Sequence, residues 1–112
     1  RGDAIAANLS HGEQRQLEIA MSLATDPRLL LLDEPLAGLG TEESLNMVAL
    51  IDRLATSHAI LLVEHDMDAV FRLARVLTVM VDGSILASGA PETIRANRQV
   101  QSAYLGNADE IA

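Results

Sequence analysis

Short unbroken apolar runs alternate along the chain with longer segments in which apolar residues recur every three or four positions, and the two rhythms predict strands and helices by turns. Ser10 followed three residues later by Glu13 has the form of a capping box. Leu17, Ala20, Met21 and Ala24 then recur at helical spacing until Asp26-Pro27 stops the helix. Leu29-Leu30-Leu31-Leu32 shows no alternation, the pattern of a strand covered on both faces of a parallel sheet, and it runs into Asp33-Glu34-Pro35. After a loop containing Gly38 and Gly40, Thr41, Glu42 and Glu43 open a helix. Its stripe of Met47, Leu50, Ile51, Leu54 and Ala55 has the spacing of a core-facing side.

Ala59 to Val63 reads as a second covered strand, ending in Glu64-His65-Asp66. Ala69, Val70, Leu73 and Ala74 mark the next helix, closed by Arg75. Val76 to Val81 reads as a strand joined through Asp82-Gly83 to a partner over Ser84 to Ser88, because the Asp-Gly pair supplies the positive-φ positions a tight hairpin needs. Pro91 fixes φ for the first turn of a short helix. Strand, helix, strand, helix, strand is the alternation of an α/β protein with a mainly parallel sheet. Arg1 to Asn8 carries neither a starting Met nor a capping pattern, which suggests a fragment boundary.

Composition narrows the function. The 112 residues, 49% of them hydrophobic, suit one small domain. A net charge of -8 repels phosphate backbones, and no basic patch offsets it, so a nucleic-acid role is not expected. All eight basic residues are Arg; without Lys the chain has no ammonium to place on the β- and γ-phosphates of a bound nucleotide. There is no Cys for a disulfide or thiolate metal site, and His11, His58 and His65 lack the i, i+4 spacing of a helical zinc site. No apolar run approaches the roughly 20 residues of a membrane span, so a membrane connection has to pass through a partner.

Ligands of open parallel sheets gather at the carboxyl ends of the strands, and both Asp33-Glu34 and Glu64-His65 fall at that edge. An Asp directly after a buried strand can hold Mg²⁺ through water, and a neighbouring Glu can orient a water for attack on a γ-phosphate. Ser10-His11-Gly12-Glu13 adds a helix N-terminus, whose free backbone N–H groups favour an anion. Each element has a plainer alternative on its own: acidic residues that end a strand, an ordinary helix cap, a packed or solvated His.

Their order is what sets the sequence apart. Leu9-Ser10-His11-Gly12-Glu13-Gln14, Leu29 to Pro35 and Leu62-Val63-Glu64-His65-Asp66 resemble the signature motif, Walker B motif and H-loop of ATP-binding cassette (ABC) ATPases. The resemblance implies the C-terminal portion of a P-loop NTPase (RecA-like) fold across residues 1–112. Its parts would be a signature helix over 9–25, Walker B over 29–35, an H-loop strand over 59–66, and a hairpin with short helices over 76–106. It also implies roles. Asp33 would hold Mg²⁺ through water, Glu34 would be the catalytic base and His65 the γ-phosphate contact. Ser10, His11, Gly12 and Glu13 would meet the γ-phosphate of ATP held by the opposite subunit of a dimer.

His11 stands where the family's signature usually carries Gly, and Gly40 where many members carry Asp. Glu64-His65-Asp66-Met67 and Ala103-Tyr104-Leu105-Gly106 are similar to ATP-binding subunits of branched-chain amino acid importers, with the lipopolysaccharide-export ATPase as the alternative. The implied partners are a second nucleotide-binding subunit, transmembrane permease subunits and, indirectly, a substrate-binding protein, with the subunit peripheral on the cytoplasmic face of the membrane. The family's lysine-bearing Walker A half would lie N-terminal to Arg1, and its strand would sit between the H-loop strand and the one matching Val76 to Val81. The chain alone is therefore expected to be inactive and to have a gap in its sheet. A non-catalytic binding or dimerisation module is the competing class, and a DNA- or ribosome-directed cassette ATPase is disfavoured by the acidic balance.

Overall fold

The computed structural model describes residues 10–105, which divide into two units that meet in sequence between His65 and Asp66. Leu9 of the signature and Gly106 of the closing motif lie outside the described residues.

The first unit opens with helix α1 (His11–Leu23), started by the predicted capping box. Ser10 Oγ accepts from Glu13 N at 3.1 Å, and Glu13 Oε1 accepts from Ser10 N at 3.3 Å. The predicted stripe is not the buried one: Leu17 and Met21 are exposed, while Gly12 and Ile19 are buried, with Arg15 and Leu23 half-buried along the same side. Positions 12, 15, 19 and 23 form an equally good helical face. The contact with α2 (Thr41–Leu54) engages it, since Gly12 N donates to Glu43 Oε2 at 2.9 Å.

Strands β1 (Leu29–Asp33) and β2 (Ala59–Val63) pair in parallel, Leu29 opposite Ala59 through Asp33 opposite Val63, with α2 as the crossover between them. Glu42 and Glu43 in the first turn of α2 and Arg53 in the last complement the helix dipole. Ile19, Leu30, Leu32, Leu36, Met47, Val48 and Ile51 are buried among the described residues of this unit. The strands are covered on one face only, contrary to the sequence expectation. Leu30 and Leu32 are buried, but Leu29, Leu31, Leu61 and Val63 stay exposed, Leu31 by 64%. A run of leucines has no alternation to reveal this; the second face awaits a layer that the described residues do not supply.

The second unit begins with α3 (Met67–Leu73), capped by Asp66 Oδ1 accepting from Ala69 N at 3.2 Å. Strands β3 (Leu77–Val81) and β4 (Ser84–Gly89) form an antiparallel hairpin with a register shift between Val79 and Met80. Asp82 and Gly83 take φ of 51° and 79°, the pair of left-handed residues a two-residue turn requires. The strand starts at Leu77 and not at Val76, whose side chain is exposed. Helix α4 (Pro91–Arg95) follows, then α5 (Arg98–Val100), capped by Asn97, and a turn of π-helix over Gln101–Leu105 in which the Tyr104 hydroxyl donates to the Met80 carbonyl. Val70, Leu77, Val79, Ile94 and Val100 form the core. Within the described residues the strands form two two-stranded sheets, so the third strand pairs with its hairpin partner alone and extends no parallel ladder.

Candidate active site

Parallel, in-register pairing delivers the ends of β1 and β2 to one edge, and the two acidic motifs arrive there together. Asp33 is the last residue of β1, exposed and opposite Val63. Glu34 N donates to Val63 O at 2.7 Å, which extends the ladder one step past the strand. Glu34 itself adopts φ of 48°, a left-handed conformation uncommon for a residue with a Cβ and typical of functional sites where the surroundings enforce it. This turns its side chain toward the next strand end: Glu34 Oε1 lies 2.7 Å from His65 Nδ1. With Glu34 48% and His65 71% exposed, the pair is open to an incoming ligand.

Glu64 completes the cluster from beneath. Its side chain is only 1% exposed, its Oε2 accepts from Leu36 N at 3.1 Å and its Oε1 from His65 N at 3.0 Å. From α1, Arg15 reaches the same loop, donating from Nη1 to Glu34 O at 3.0 Å and from Nη2 to Ala37 O at 3.3 Å. The turn after β1 is thereby held by α1 on one side and by the end of β2 on the other. Arg15 is not singled out by the sequence, and Glu64 is placed there at the ligand edge beside His65 and used as a mark of subfamily, without a role of its own. Their signal is tertiary: Glu34 O and Ala37 O, which Arg15 reaches, and Leu36 N, which Glu64 reaches, lie 19 to 28 residues away, and only the Glu64 bond from His65 N is local.

Glu34, Glu64 and His65 offer ligand atoms within 4.8 Å of one another. They are a poor cage for Mg²⁺, which wants near-octahedral oxygen ligands, because both Glu64 oxygens already accept backbone N–H groups and His65 offers nitrogen. Asp33, a single exposed carboxylate at the strand end, fits the usual way Mg²⁺ is held, by one or two carboxylates plus water and substrate phosphates.

The signature residues occupy the start of α1. Ser10 Oγ serves the capping box, His11 is exposed and Gly12 is buried against Glu43. A Cβ at Gly12 would come 2.3 Å from Glu43 Oε2, so any larger residue there would force the Glu43 carboxylate to swing aside. His58 stands apart from these groups, with Nδ1 3.2 Å from Leu54 O at the end of α2.

The ABC transporter family matches residues 2–37, and the family described as branched-chain amino acid ATP-binding cassette transporter matches residues 84–110. The chain belongs with the ATP-binding cassettes of ABC transporters. It is similar to the high-affinity branched-chain amino acid transport ATP-binding proteins LivG of Escherichia coli and BraF of Pseudomonas aeruginosa, 47% identical to each over 105 residues. Those alignments cover 92% of this chain and 41% of the relatives, so the chain spans about two fifths of their length. The arabinose import ATP-binding protein AraG of Rhizobium meliloti is 42% identical over 98 residues, covering 87% of this chain and 19% of that protein. Among solved structures, MJ1267, an ATP-binding cassette of an ABC transporter, superposes with a TM-score of 0.81 at 29% identity, over 91% of this chain and 42% of that one. A nucleotide-free ATP-binding cassette gives 0.70 at 26% identity, over 93% of this chain and 39% of that one.

Proposed function

We propose that this chain supplies the signature, Walker B and H-loop portion of the ATP-hydrolysing subunit of a branched-chain amino acid importer. The 2.7 Å contact between Glu34 and His65 at the carboxyl edge of the sheet carries the proposal. It pairs a carboxylate able to take a proton from water with an imidazole able to donate to a phosphate oxygen, both solvent-accessible. Glu34 is the base, His65 the γ-phosphate contact, and Asp33 the residue that would hold Mg²⁺ through water. The ion would supply charge neutralisation across the β- and γ-phosphates. Ser10, His11, Gly12 and Glu13 meet the nucleotide held by a second nucleotide-binding subunit. Permease subunits and a substrate-binding protein complete the transporter, with this subunit peripheral on the cytoplasmic face; no helix among the described residues is long and apolar enough to cross a membrane.

The amino acid assignment draws on the family match at residues 84–110 and on the 47% identity to LivG and BraF, against 42% to the sugar-import protein. By itself the chain neither binds nor hydrolyses Mg-ATP, since it has no Lys to place on the phosphates.

Calorimetry of the chain with Mg-ATP, with phosphate release followed in parallel, tests that statement directly; binding with turnover would refute it. The catalytic assignment is tested in a chimera in which this chain replaces the matching stretch of the Escherichia coli LivG relative. Glu34→Gln there nearly abolishes hydrolysis and leaves ATP binding intact. Turnover comparable to the parent chimera would remove Glu34 as the base.

A further inference from the structure

We propose that Glu64 is a positioning residue for ATP hydrolysis: its buried carboxylate ties the loop carrying Glu34 to the backbone carrying His65 and so sets the distance between the two reacting side chains. This rests on the roles assigned above to Glu34 and His65.

Among the three groups of the cluster, exposure falls from 71% at His65 and 48% at Glu34 to 1% at Glu64. A carboxylate withdrawn from water is costly unless its oxygens are satisfied. Here the two oxygens go to two different strand ends: Oε2 accepts from Leu36 N, in the turn after β1, and Oε1 accepts from His65 N, just past β2. Bonds from backbone N–H to an ionised oxygen are stronger than neutral ones, and two of them on one rigid planar group fix both a distance and an orientation. The side chain is therefore a brace across the edge of the sheet. Its separation from His65 Nδ1 is 3.6 Å, too long for a hydrogen bond, so that ring nitrogen is left to Glu34 at 2.7 Å. Glu64 touches no reacting atom and acts through the two residues that do.

The chemistry of the brace limits what can replace it. Gln keeps the shape but has one acceptor oxygen, and its amide group would face the second N–H donor. Asp keeps the charge but is one methylene shorter, so it cannot span both segments. Small errors in the placement of catalytic groups cost rate far more than they cost binding.

The test uses the LivG chimera, with kcat, KM for ATP and thermal melting measured for the parent and for Glu64→Gln, Glu64→Asp and Glu34→Gln. Glu64→Gln is expected to lower kcat by about tenfold or more with KM within about twofold of the parent. Glu64→Asp should give the same split, and it replaces Glu64→Gln in the assay if the latter melts below the assay temperature. Parent-like kcat in either folded Glu64 variant overturns the proposal. So does a fall in kcat matched by a rise in KM and a lowered melting temperature, the outcome of a merely structural role. A Glu34→Gln chimera that still hydrolyses ATP sinks the assignment of the site itself, and the proposal with it; an inactive Glu34→Gln beside a fully active Glu64→Gln sinks only the proposal.

Discussion

Replacing Gly12 by Ala sets two effects of opposite sign against each other. In a helix, Ala is favoured over Gly by about 0.5–1 kcal/mol, because glycine loses more backbone freedom on folding. At this position the new Cβ would lie 2.3 Å from Glu43 Oε2 and 3.1 Å from Glu43 Cδ, so the carboxylate has to swing away. It then abandons its 2.9 Å bond from Gly12 N. A hydrogen bond to a charged group contributes about 1.5–3 kcal/mol, and partial exposure at this contact brings that down to roughly 1–2 kcal/mol.

The loss outweighs the gain, so Gly12→Ala should destabilise the first turn of α1 by about 0.5–1 kcal/mol. Amide hydrogen exchange in the LivG chimera reads this as faster exchange over residues 12–16. The decisive comparison is with Glu43→Ala. In that background the clash and the bond are both gone, and Gly12→Ala should become neutral or stabilising by about 0.5 kcal/mol. Slower exchange on Gly12→Ala while Glu43 is present would refute the claim that Glu43 latches α1 to α2.

The bare face of the β1–β2 pair predicts that the chain alone associates. Replacing Leu31 and Leu61, which are opposite each other in the ladder, by Gln should weaken that association by about tenfold or more in sedimentation velocity, whereas a wild-type chain that runs as a cooperatively melting monomer would contradict it. In the second unit, Asn97→Ala removes an acceptor for Gln99 N at 2.8 Å and Val100 N at 3.1 Å. It should cost about 1 kcal/mol in urea unfolding of the chimera, and no change would mean that the cap is dispensable.

Local features were the legible part of the sequence. The capping box at Ser10, the Asp82-Gly83 turn and the proline-led helix at Pro91 follow from interactions within three or four residues, and the structure has all of them. The two strands ending in Asp33 and at Glu64 could also be found, and parallel pairing brought Glu34 and His65 together as the order of motifs implied. Choices decided by a distant partner were not legible. Four consecutive leucines look alike whether one or two faces are covered, and α1 offers two apolar faces of similar quality, of which the contact with α2 picks one. Arg15 and Glu64 look like ordinary polar residues because the Glu34 and Ala37 carbonyls that Arg15 meets and the Leu36 N–H that Glu64 meets are backbone atoms of other segments, which no side-chain pattern announces.

The straight pairing of Leu29 through Asp33 with Ala59 through Val63 also limits how the chain can change length over evolution. Each strand has five residues and leads without spacer into a working side chain. Deleting one residue within Leu29 to Leu32 would exchange the strand's two faces and draw Glu34 about 3.3 Å back from His65. A residue gained or lost in the turn over 55–58, behind α2, changes neither. Homologues that keep the chemistry should therefore show gaps in that rear turn and none in the strands.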